Sequence, residues 1–425
     1  MIRLKVSVIG LGYVGLPLSS LIARNFEVIG FEVEKNKVAM IARGQVPIDE
    51  PGLHDILTES LKSRKLQVTS DPTKLRETSV KIITVGTPFN EKSDSVDYGQ
   101  LESSLDLIIP NLNIGDVVIL KSTVPPGTTM GLVKNRIESS GLKVPQEIGL
   151  VFSPERMVEG QAVKDFQVLP KIIGASDERS GSVAEQVIGS LGGKIIRVSN
   201  PETAETIKMV DNYSRYVFLG LTNELALVCE RIGVDVLEVI KSAKDNYPRN
   251  SGLLLPGPGV GGSCLNKDPF ILRGIVRKSG EELEMVKSAQ KVNSRIPFHV
   301  AELVSRFRPK GQVTLLGVAF KGDTDDTRFA PSLTIKDELV KRRKYGVRMT
   351  DPYVVGDGIS RDLYESCTGS SIIVILTDHS CYKDIDLPKL KSLAAEYPMI
   401  LDTRGIIDRA KAEEAGFEYH GLGRL

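Results

Sequence analysis

The stretch Leu4-Lys5-Val6-Ser7-Val8-Ile9-Gly10-Leu11-Gly12-Tyr13-Val14-Gly15 decides how the chain begins to fold. Its first half is a short β-rich apolar run, its second half carries three glycines, and helix-compatible residues follow to about Arg24. Glycines at this spacing permit a tight turn, close approach of the backbone to a pyrophosphate, and packing of a helix on a strand. The order strand, glycine turn, helix predicts the first unit of a dinucleotide-binding sheet.

An acidic residue strengthens this prediction. A second predicted strand, Glu27–Phe31, closes on Glu32, which lies about 20 residues after the glycine turn. A carboxylate at this position accepts hydrogen bonds from both ribose hydroxyls and repels a 2′-phosphate. The alternative is a purely structural glycine turn, which the strand, the helix and the acidic residue together disfavour. We therefore predict NAD as the cofactor, in preference to NADP.

The rest of the chain alternates between strand and helix patterns, with a helical middle. Predicted strands at Lys81–Val85, Val117–Leu120 and Ile148–Phe152 follow the first two. After Pro201 the pattern becomes a long helix, Glu202–Ile232, and further helical segments cover 234–243 and 270–294 on either side of a glycine-rich loop at 256–262. Strands return from Val313. We predict an α/β fold with two Rossmann-like doubly wound domains, residues 1–200 and 297–425, joined by a central helical domain, residues 201–296.

Composition excludes several classes of protein. The 425 residues carry 55 Lys and Arg against 54 Asp and Glu, a net charge of +1, and the charges are interspersed. This balance argues against a nucleic-acid partner and a membrane partner. The longest apolar run, Ile372–Leu376, is far shorter than a membrane helix requires. The four cysteines show neither a zinc spacing nor a disulfide framework, so we expect no metal and a cytoplasmic location.

Two groups of residues could carry chemistry. Cys264 follows the glycine-rich loop, which can bring a thiol close to a ligand, and Lys267 or another cation could favour its thiolate. Most cysteines are small buried hydrophobic residues, and we interpret Cys229, Cys367 and Cys381 in that way. Lys208 and Asn212 lie four apart and share a helix face, although spacing alone does not distinguish them from a solvated face.

Taken together, the motifs resemble those of the UDP-glucose/GDP-mannose dehydrogenase family of nucleotide-sugar 6-dehydrogenases. The resemblance covers nearly the whole chain and keeps the family's order. The matching segments are residues 10–15, 50–53, 122–129, 153–155 with 159–160, Lys208 with Asn212, 262–268, 319–321, 325–326 with Arg328, 351–352, and 402–404. The family's fold is a dinucleotide-binding domain, a helical linker that usually makes a dimer, and a C-terminal domain that binds the nucleotide of the sugar. The resemblance therefore implies a homodimer through the long helix.

The resemblance also implies roles for individual residues. The catalytic residues would be Cys264 as nucleophile with Lys208, Asn212, Asp268, Glu159 and Thr123. The cofactor would contact Gly10, Gly12, Tyr13, Val14, Gly15, Glu32, Lys37, Thr87, Thr123 and Glu155. The UDP-sugar would contact Glu155, Arg156, Glu159, Lys208, Asn212, Arg249, Gly259, Gly261, Phe320, Lys321, Arg328 and Arg404. Asn266 stands where the family commonly has proline, and we expect it to loosen the cysteine loop.

The implied activity is oxidation of the C6 hydroxyl of a UDP-sugar to a carboxylate with two NAD, through a cysteine thiohemiacetal and thioester. The segments 248–250 and 256–262 are similar to those of the branch that oxidises UDP-N-acetylhexosamines, whereas Lys267-Asp268 is more like the UDP-glucose branch. We expect UDP-N-acetyl-D-mannosamine first, then UDP-N-acetylglucosamine or UDP-glucose. The alternatives are a β-hydroxyacid-type dehydrogenase, which needs no cysteine, and a nucleotide-sugar sensor that binds NAD without turnover.

Overall fold

A computed structural model describes residues 4–48, 50–90, 95–158 and 160–424. The chain divides into two compact units, Met1–Val210 and Asp211–Leu425, and each is described by itself. The boundary between the units falls inside one long helix. In the part of the chain that the structure describes, no helix is both long enough and apolar enough to cross a membrane.

The first unit is built on one sheet, in which eight strands are described. Its elements are β1 (Lys5–Ile9), α1 (Gly15–Ile22), β2 (Glu27–Phe31), α2 (Lys35–Ala42), α3 (Leu53–Lys62), β3 (Leu66–Thr69), β4 (Val80–Ile83), β5 (Phe89–Asn90), β6 (Ser95–Val96), α4 (Gly99–Ile108), β7 (Val117–Leu120), α5 (Lys134–Glu138), β8 (Gly149–Phe152), α6 (Ala162–Val168), β9 (Lys171–Ala175), α7 (Glu178–Gly189), β10 (Ile195–Val198) and the start of α8 (Pro201–Ile232). The sheet order is β3-β2-β1-β4-β7-β8-β9-β10. β8 and β9 pair antiparallel, whereas the other neighbouring strands pair parallel.

The order of the first six strands is that of a dinucleotide-binding sheet. Numbered along the chain, β3-β2-β1-β4-β7-β8 corresponds to the order 3-2-1-4-5-6. The order reverses between β1 and β4, and open parallel sheets bind ligands at the carboxyl ends of the strands on either side of such a point. The glycine turn after β1 and the loop after β4 meet there. Buried side chains of β1, β2, β4 and β7 pack against helices on both faces of the sheet.

The second unit repeats this architecture. After α8 its elements are α9 (Val236–Lys244), α10 (Asp268–Arg277), α11 (Glu284–Arg306), β11 (Gln312–Leu316), α12 (Pro331–Asp337), β12 (Val347–Thr350), β13 (Ile359–Ser360), α13 (Leu363–Cys367), β14 (Ser370–Ile375), α14 (Leu387–Leu393), β15 (Met399–Asp402), α15 (Arg409–Glu414) and β16 (Glu418–Gly421). The described strands pair parallel in the order β13-β12-β11-β14-β15-β16, again 3-2-1-4-5-6. The fold class predicted from the sequence, two parallel α/β sheets with a helical region between them in the chain, is confirmed.

The helical middle differs from prediction in one respect. The long helix predicted at Glu202–Ile232 is confirmed as α8, but the single segment predicted over 270–294 is wrong. The structure has two helices there, because Gly280 adopts a left-handed conformation with φ +85° after α10. The second helix, α11, then continues through Pro297 to Arg306. It therefore crosses the predicted domain boundary at residue 296, and the three-part division stays a proposal.

A buried ion pair lies at the amino ends of the strands of the first unit. Lys81 of β4 is fully buried and donates to the carboxylate of Asp116, which directly precedes β7 and also accepts the Asn113 backbone N–H. Burial lowers the pKa of Lys81, and burial also raises the pKa of Asp116. This end of the sheet is opposite the expected ligand-binding end, so we assign the pair to stability.

Substituting Asp116→Asn keeps an acceptor for the Asn113 N–H but leaves the Lys81 charge buried and unpaired. We expect the free energy of unfolding to fall by about 3 to 5 kcal/mol. The double variant Lys81→Met with Asp116→Asn removes the charge and should recover most of that loss. Urea unfolding of the three proteins provides the measurement. Equal stability of the single variant and the wild type would contradict the assignment.

Candidate active site

The glycine turn of the first unit has the geometry that its sequence predicts. Gly10 has φ +90°, and its N–H donates to the Phe31 carbonyl of β2 at 2.9 Å. A Cβ atom on Gly15 would lie 1.8 Å from the Gly10 carbonyl oxygen, so only glycine permits this contact between turn and helix. A Cβ on Gly12 would meet no atom within 4 Å. The backbone at Gly12 is therefore open to a ligand. Tyr13 and Val14 complete the turn before α1, and Tyr13 is exposed.

Glu32 reaches back from the end of β2 to this turn. Its carboxylate accepts the Leu11 backbone N–H at 3.1 Å and the Val33 N–H at 2.9 Å, and it lies 3.2 Å from the Lys37 ammonium. Burial acts to raise the pKa of Glu32, but Lys37 and the backbone donors outweigh it and leave the pKa below its ordinary value. Glu32 is therefore a carboxylate over the pH range in which most enzymes work.

A cavity of about 440 Å³ connects these groups. Its lining includes Gly10, Gly12, Glu32, Lys37, and residues 84–86 of the loop after β4. The glycine turn supplies a backbone surface that a ligand can approach closely, and Glu32 supplies a hydrogen-bond acceptor directly after the carboxyl end of β2. These features fit a dinucleotide that has a pyrophosphate and a ribose with free hydroxyls. Residues of the sequence-predicted set thus share one cavity in the first unit.

Further predicted residues lie on the loops that follow β4, β7 and β8. Thr87 donates to the Thr123 carbonyl at 2.6 Å, which ties two of these loops together. Glu155 accepts the backbone N–H groups of Arg156 and Met157, both at 2.8 Å, and forms an ion pair at 3.3 Å with the buried Lys121. These carboxyl-end loops are therefore fixed by hydrogen bonds of their own. Glu159, which follows them, lies outside the described residues.

Two lysines beside this group were missed by the sequence analysis. Lys121 is buried directly after β7. Lys171 of β9 is also buried, and the charges of Glu155 and Lys121 both affect its pKa. Burial lowers the pKa of Lys171 to about 8, against the opposing effect of Glu155. Lys121 could have been found, because it occupies the first position after a predicted strand. Lys171 lies inside an unpredicted strand and carried no such signal.

In the second unit a buried carboxylate likewise holds the loop at the carboxyl end of β11. Asp351, fully buried after β12, accepts the backbone N–H groups of Val318 and Ala319 at 2.7 and 3.0 Å and lies 3.0 Å from His379 Nε2. Burial acts to raise the pKa of Asp351, but His379 and the backbone donors outweigh it and the pKa lies well below its ordinary value. This buried carboxylate fixes the loop that presents Phe320 and Lys321.

Arg404 belongs to the loop after β15 in the same unit. Asp402 accepts four consecutive backbone N–H groups, from Arg404 to Ile407, at 2.7 to 2.9 Å, which bends the chain and presents the Arg404 side chain. The guanidinium donates to Asp378 Oδ1 at 2.8 Å, and Arg404 Nε is buried without a hydrogen-bond partner in the described residues. An additional acceptor, such as a ligand oxygen, would satisfy it.

The glycine-rich loop packs directly on these residues. A Cβ on Gly257 would lie 2.6 Å from Arg404, and one on Gly261 would lie 2.3 Å from Phe320. A Cβ on Gly259 would lie 3.0 Å from Pro297. The glycines therefore allow the loop to approach the carboxyl end of the second sheet. The exposed thiol of Cys264 follows on this loop, within the same unit.

Hydrogen bonds hold the cysteine loop in place. The Asn266 side-chain amide donates to the carbonyls of Val260 and Gly262 at 3.1 and 2.9 Å, and the Gly262 N–H donates to the Arg328 carbonyl at 2.9 Å. The expectation that Asn266 loosens this loop is therefore wrong, because its amide ties two parts of the loop together. The Arg328 side chain itself is exposed and pairs with Asp326.

Asp268 begins α10 immediately after this loop. It is almost fully buried, and its Oδ2 accepts the Asn212 side-chain amide at 2.6 Å. Its Oδ1 is buried without a hydrogen-bond partner in the described residues. A buried carboxylate oxygen of this kind requires a partner, which a substrate hydroxyl or a water would supply. Lys208 lies one turn before Asn212 on α8, and the helix presents both side chains on one face.

Arg249 was predicted from the resemblance to contact the UDP-sugar. It lies in a short 3₁₀ turn, Pro248–Asn250, is exposed, and stands 6.0 Å from the centroid of the Tyr247 ring. The sequence analysis also missed residues that hold the loops of the second unit. Asp378 and His379 lie three and four residues after the end of β14, in the loop at its carboxyl end, and Lys121 lies directly after β7. The rule that ligands bind at the carboxyl ends of parallel strands would have selected all three.

Comparison with known proteins identifies the family of the chain and the order of its domains. Three domains of the UDP-glucose/GDP-mannose dehydrogenase family match in order: the NAD binding domain over residues 4–191, the central domain over 202–295 and the UDP binding domain over 314–409. UDP-N-acetyl-D-mannosamine dehydrogenase of Methanocaldococcus jannaschii is 33% identical, with 99% of this chain and 96% of that protein covered. UDP-glucose 6-dehydrogenase of Bacillus subtilis is 29% identical, with 99% and 93% covered.

A solved structure of similar fold agrees with this family assignment. UDP-D-ManNAc dehydrogenase from Pyrococcus horikoshii has a TM-score of 0.88 at 32% identity, with 99% of each chain covered. The chain belongs to the UDP-glucose/GDP-mannose dehydrogenase family. It is an NAD-dependent UDP-sugar dehydrogenase, an oxidoreductase with an NAD binding domain and a UDP binding domain. The match to all three domains of this family argues against the alternatives of a β-hydroxyacid-type dehydrogenase and a non-catalytic sensor.

Substituting Glu32→Ala should weaken NAD binding. Each charge-assisted hydrogen bond to a ribose hydroxyl contributes about 1.5 to 3 kcal/mol, so the KM for NAD should rise about tenfold or more. The substitution also frees Lys37 from its partner, and the KM for NADP should fall. The control variant carries Glu32→Ala and Lys37→Ala together and should lose the gain for NADP. An unchanged KM for NAD in Glu32→Ala would show that Glu32 does not contact the cofactor.

Proposed function

We propose that this enzyme oxidises the C6 hydroxyl of UDP-N-acetyl-D-mannosamine to the carboxylate, with two NAD consumed per sugar. The observation that carries the chemistry is the exposed Cys264 thiol on a loop packed against Phe320 and Arg404, four residues before the buried Asp268. The names of several similar relatives support the sugar. The segments 248–250 and 256–262 support an N-acetylhexosamine independently.

The UDP moiety is assigned to the carboxyl end of the second sheet. Lys321 and Arg404 supply positive charge there, and Arg404 Nε has no acceptor among the described residues. Asp351 and Asp402 hold the two loops through backbone N–H groups, so the cations are positioned before a ligand arrives. Cations positioned in this way bind diphosphate oxygens with charge-assisted hydrogen bonds.

The two oxidations make different demands on the protein. NAD, when bound, accepts a hydride in each oxidation. Alcohol oxidation requires only that a base take the hydroxyl proton, and we assign this to Lys208 or to a water held by Asp268. An aldehyde has to become tetrahedral before it can lose a hydride. The Cys264 thiolate attacks the aldehyde carbon and forms a carbon–sulfur bond, which gives a thiohemiacetal.

Neighbouring residues then complete the reaction. Asn212, placed by its 2.6 Å hydrogen bond to Asp268, and Lys208 on the same helix face are assigned to the oxyanion. Loss of the second hydride converts the thiohemiacetal into a thioester. Water attacks the thioester carbon, the carbon–sulfur bond breaks, and the carboxylate leaves with the thiol restored. We assign activation of that water to Asp268, with Thr123 and Glu159 as further site residues. The remaining contacts predicted for Glu155, Arg156, Arg249 and Arg328 stay predictions.

A panel of UDP-sugars tests the substrate. The purified enzyme is given NAD with UDP-N-acetyl-D-mannosamine, UDP-N-acetylglucosamine or UDP-glucose, and NADH is measured by absorbance. We expect the highest kcat/KM with the first sugar and two NADH per sugar oxidised. UDP-glucose is the second candidate, because Lys267-Asp268 resembles that branch and a UDP-glucose 6-dehydrogenase is among the relatives. A higher kcat/KM with UDP-glucose would overturn the assignment.

The covalent mechanism is tested at Cys264. Cys264→Ala should retain alcohol oxidation to the aldehyde but lose conversion of the aldehyde to the acid, so NADH falls from two toward one per sugar. Cys264→Ser should form an ester that hydrolyses slowly, because an alkoxide is a poorer leaving group than a thiolate, and intact mass spectrometry should detect it. Cys381→Ala, at the other exposed cysteine, is the matched control and should behave as wild type. Full carboxylate production by Cys264→Ala would exclude the mechanism.

We further propose a homodimer through α8. The helix exposes Val210, Leu221 and Val228, with exposed fractions of 48%, 42% and 45%, and a stripe of this kind is typical of a helix that packs on a partner. Sedimentation velocity distinguishes a dimer from a monomer, and a single monomeric species at micromolar concentration would contradict it. The cytoplasmic location and the domain limits expected from the sequence stay predictions.

A further inference from the structure

Glu205 is a buried charge that the reaction described above does not use. It lies on α8, one helical turn before Lys208, and its side chain is fully buried. Its carboxylate accepts three hydrogen bonds from a single loop: from the Gly127 N–H at 2.6 Å, and from the Thr129 N–H and hydroxyl at 2.8 and 2.6 Å. A buried carboxylate is stable only with such partners.

The loop that Glu205 holds is the segment 122–129, which carries Thr123. It follows β7, and its beginning is fixed by Ser122, which donates to the Val85 carbonyl at 2.6 Å, and by the Thr87 hydrogen bond to the Thr123 carbonyl. Its end leads into the helical segment Thr129–Glu138. The first N–H groups of a helix have no partner within the helix and need an external acceptor.

A local cap would satisfy those N–H groups equally well. A serine or aspartate at the start of the helical segment commonly does so, as Asp177 does for α7 by accepting the Ser180 N–H at 3.0 Å. Here the acceptor comes instead from α8, 76 residues further along the chain than Thr129. The same hydrogen bonds that cap the helical segment therefore attach the Thr123 loop to the helix that carries Lys208.

We propose that Glu205 is a positioning residue for the dehydrogenase reaction: its ionised carboxylate holds the Thr123 loop against the turn of α8 that carries Lys208. The inference rests on the proposed role of Thr123 and Lys208 in the reaction. It assigns no contact between Glu205 and the substrate. When Glu205 is protonated, one of its oxygens becomes a donor facing other donors, so the loop is held less firmly and turnover slows.

The surroundings of Glu205 place its protonation within the pH range of an enzyme assay. Burial raises the pKa of Glu205 to about 7, against the opposing effect of the Thr129 and Gly127 donors. Among the described residues, Glu202 on the same helix raises the pKa of Glu205 further, and Tyr98, whose hydroxyl lies 3.2 Å from Thr128 Oγ1, also interacts with its charge. Glu205 thus carries a charge above about pH 7, where the loop is held.

The test compares the wild type with Glu205→Gln on whichever UDP-sugar the wild type oxidises, from about pH 5.5 to about pH 8.5. The ratio of wild-type kcat to variant kcat should be close to one at low pH and rise to about tenfold or more at high pH, because a hydrogen bond to a charged group is lost. The KM for NAD should stay within about twofold. A ratio that stays constant with pH would overturn the proposal.

If Glu205 acted only through protein stability, the advantage of the wild type over Glu205→Gln would decrease with rising pH. A carboxyl whose pKa is raised by folding favours the folded state below its unfolded pKa, and that contribution is lost as the pH rises through about 7. The Tm of the wild type relative to Glu205→Gln should therefore fall with rising pH while the kcat ratio increases. Parallel changes in Tm and kcat would show that Glu205 acts through stability and would overturn the proposal.

The control and an assay without turnover complete the experiment. Glu202→Gln removes the neighbouring carboxylate, so it should leave kcat at high pH within about twofold and shift the midpoint of the wild-type profile to lower pH. Hydrogen exchange at the Gly127 and Thr129 amides, measured without substrate at pH 8, should be faster in Glu205→Gln than in the wild type. Unchanged exchange would overturn the proposal. Because exchange needs no UDP-sugar, a wrong substrate or a failed Cys264 mechanism would leave this result interpretable.

Discussion

Loops at the carboxyl ends of parallel strands expose backbone N–H groups that have no partner within the sheet, and the organisation of both units depends on acceptors for them. Buried or half-buried carboxylates meet this need. Glu32 accepts from the glycine turn, Glu205 from the Thr123 loop, Asp351 from the loop that presents Lys321, and Asp402 from the loop that presents Arg404. Each carboxylate turns a loop that would otherwise be hydrated into a rigid support for a residue that the sequence predicts to belong to the site.

The two sheets share one strand order but use it differently. In the first unit the order reverses beside a glycine turn, which leaves open space at Gly12 and suits a ligand bound through the backbone. In the second unit the corresponding loop has Ala319-Phe320-Lys321, so side-chain charge and an aromatic surface replace the bare backbone. One architecture can thus hold two different nucleotides, because the loops and not the strands decide what is bound.

The cysteine loop shows how local departures from a family pattern are compensated. Asn266 replaces a residue that restricts the backbone, and its side-chain amide ties Val260 and Gly262 together instead. Gly261 of this loop is needed for a different reason, since Phe320 occupies the space that a side chain there would fill. Restraint by hydrogen bonding and restraint by close packing act on the same loop.

Much of this protein is determined by sequence alone. The strand β2, the strand β7 and the helix α8 were predicted to within a residue, because short apolar runs and long apolar periodicity are local signals. The glycine spacing with Glu32 predicted the NAD site, and ordered motifs predicted the family. The short strands β3, β5, β6, β9, β10, β13 and β16 were not predicted, since their sequences are short or mixed and only pairing with a neighbour makes them strands.

Other features were decided by the tertiary structure. The break between α10 and α11 depends on one glycine conformation, and α11 continues through the buried Pro297 beyond the helix end that the sequence predicted. The hydrogen bonds of Glu205 join residues 76 and 78 positions apart, and those of Asp351 join residues 32 and 33 apart. No spacing rule connects positions so distant, because their proximity exists only after the sheets have formed and buried charge has to find its partners.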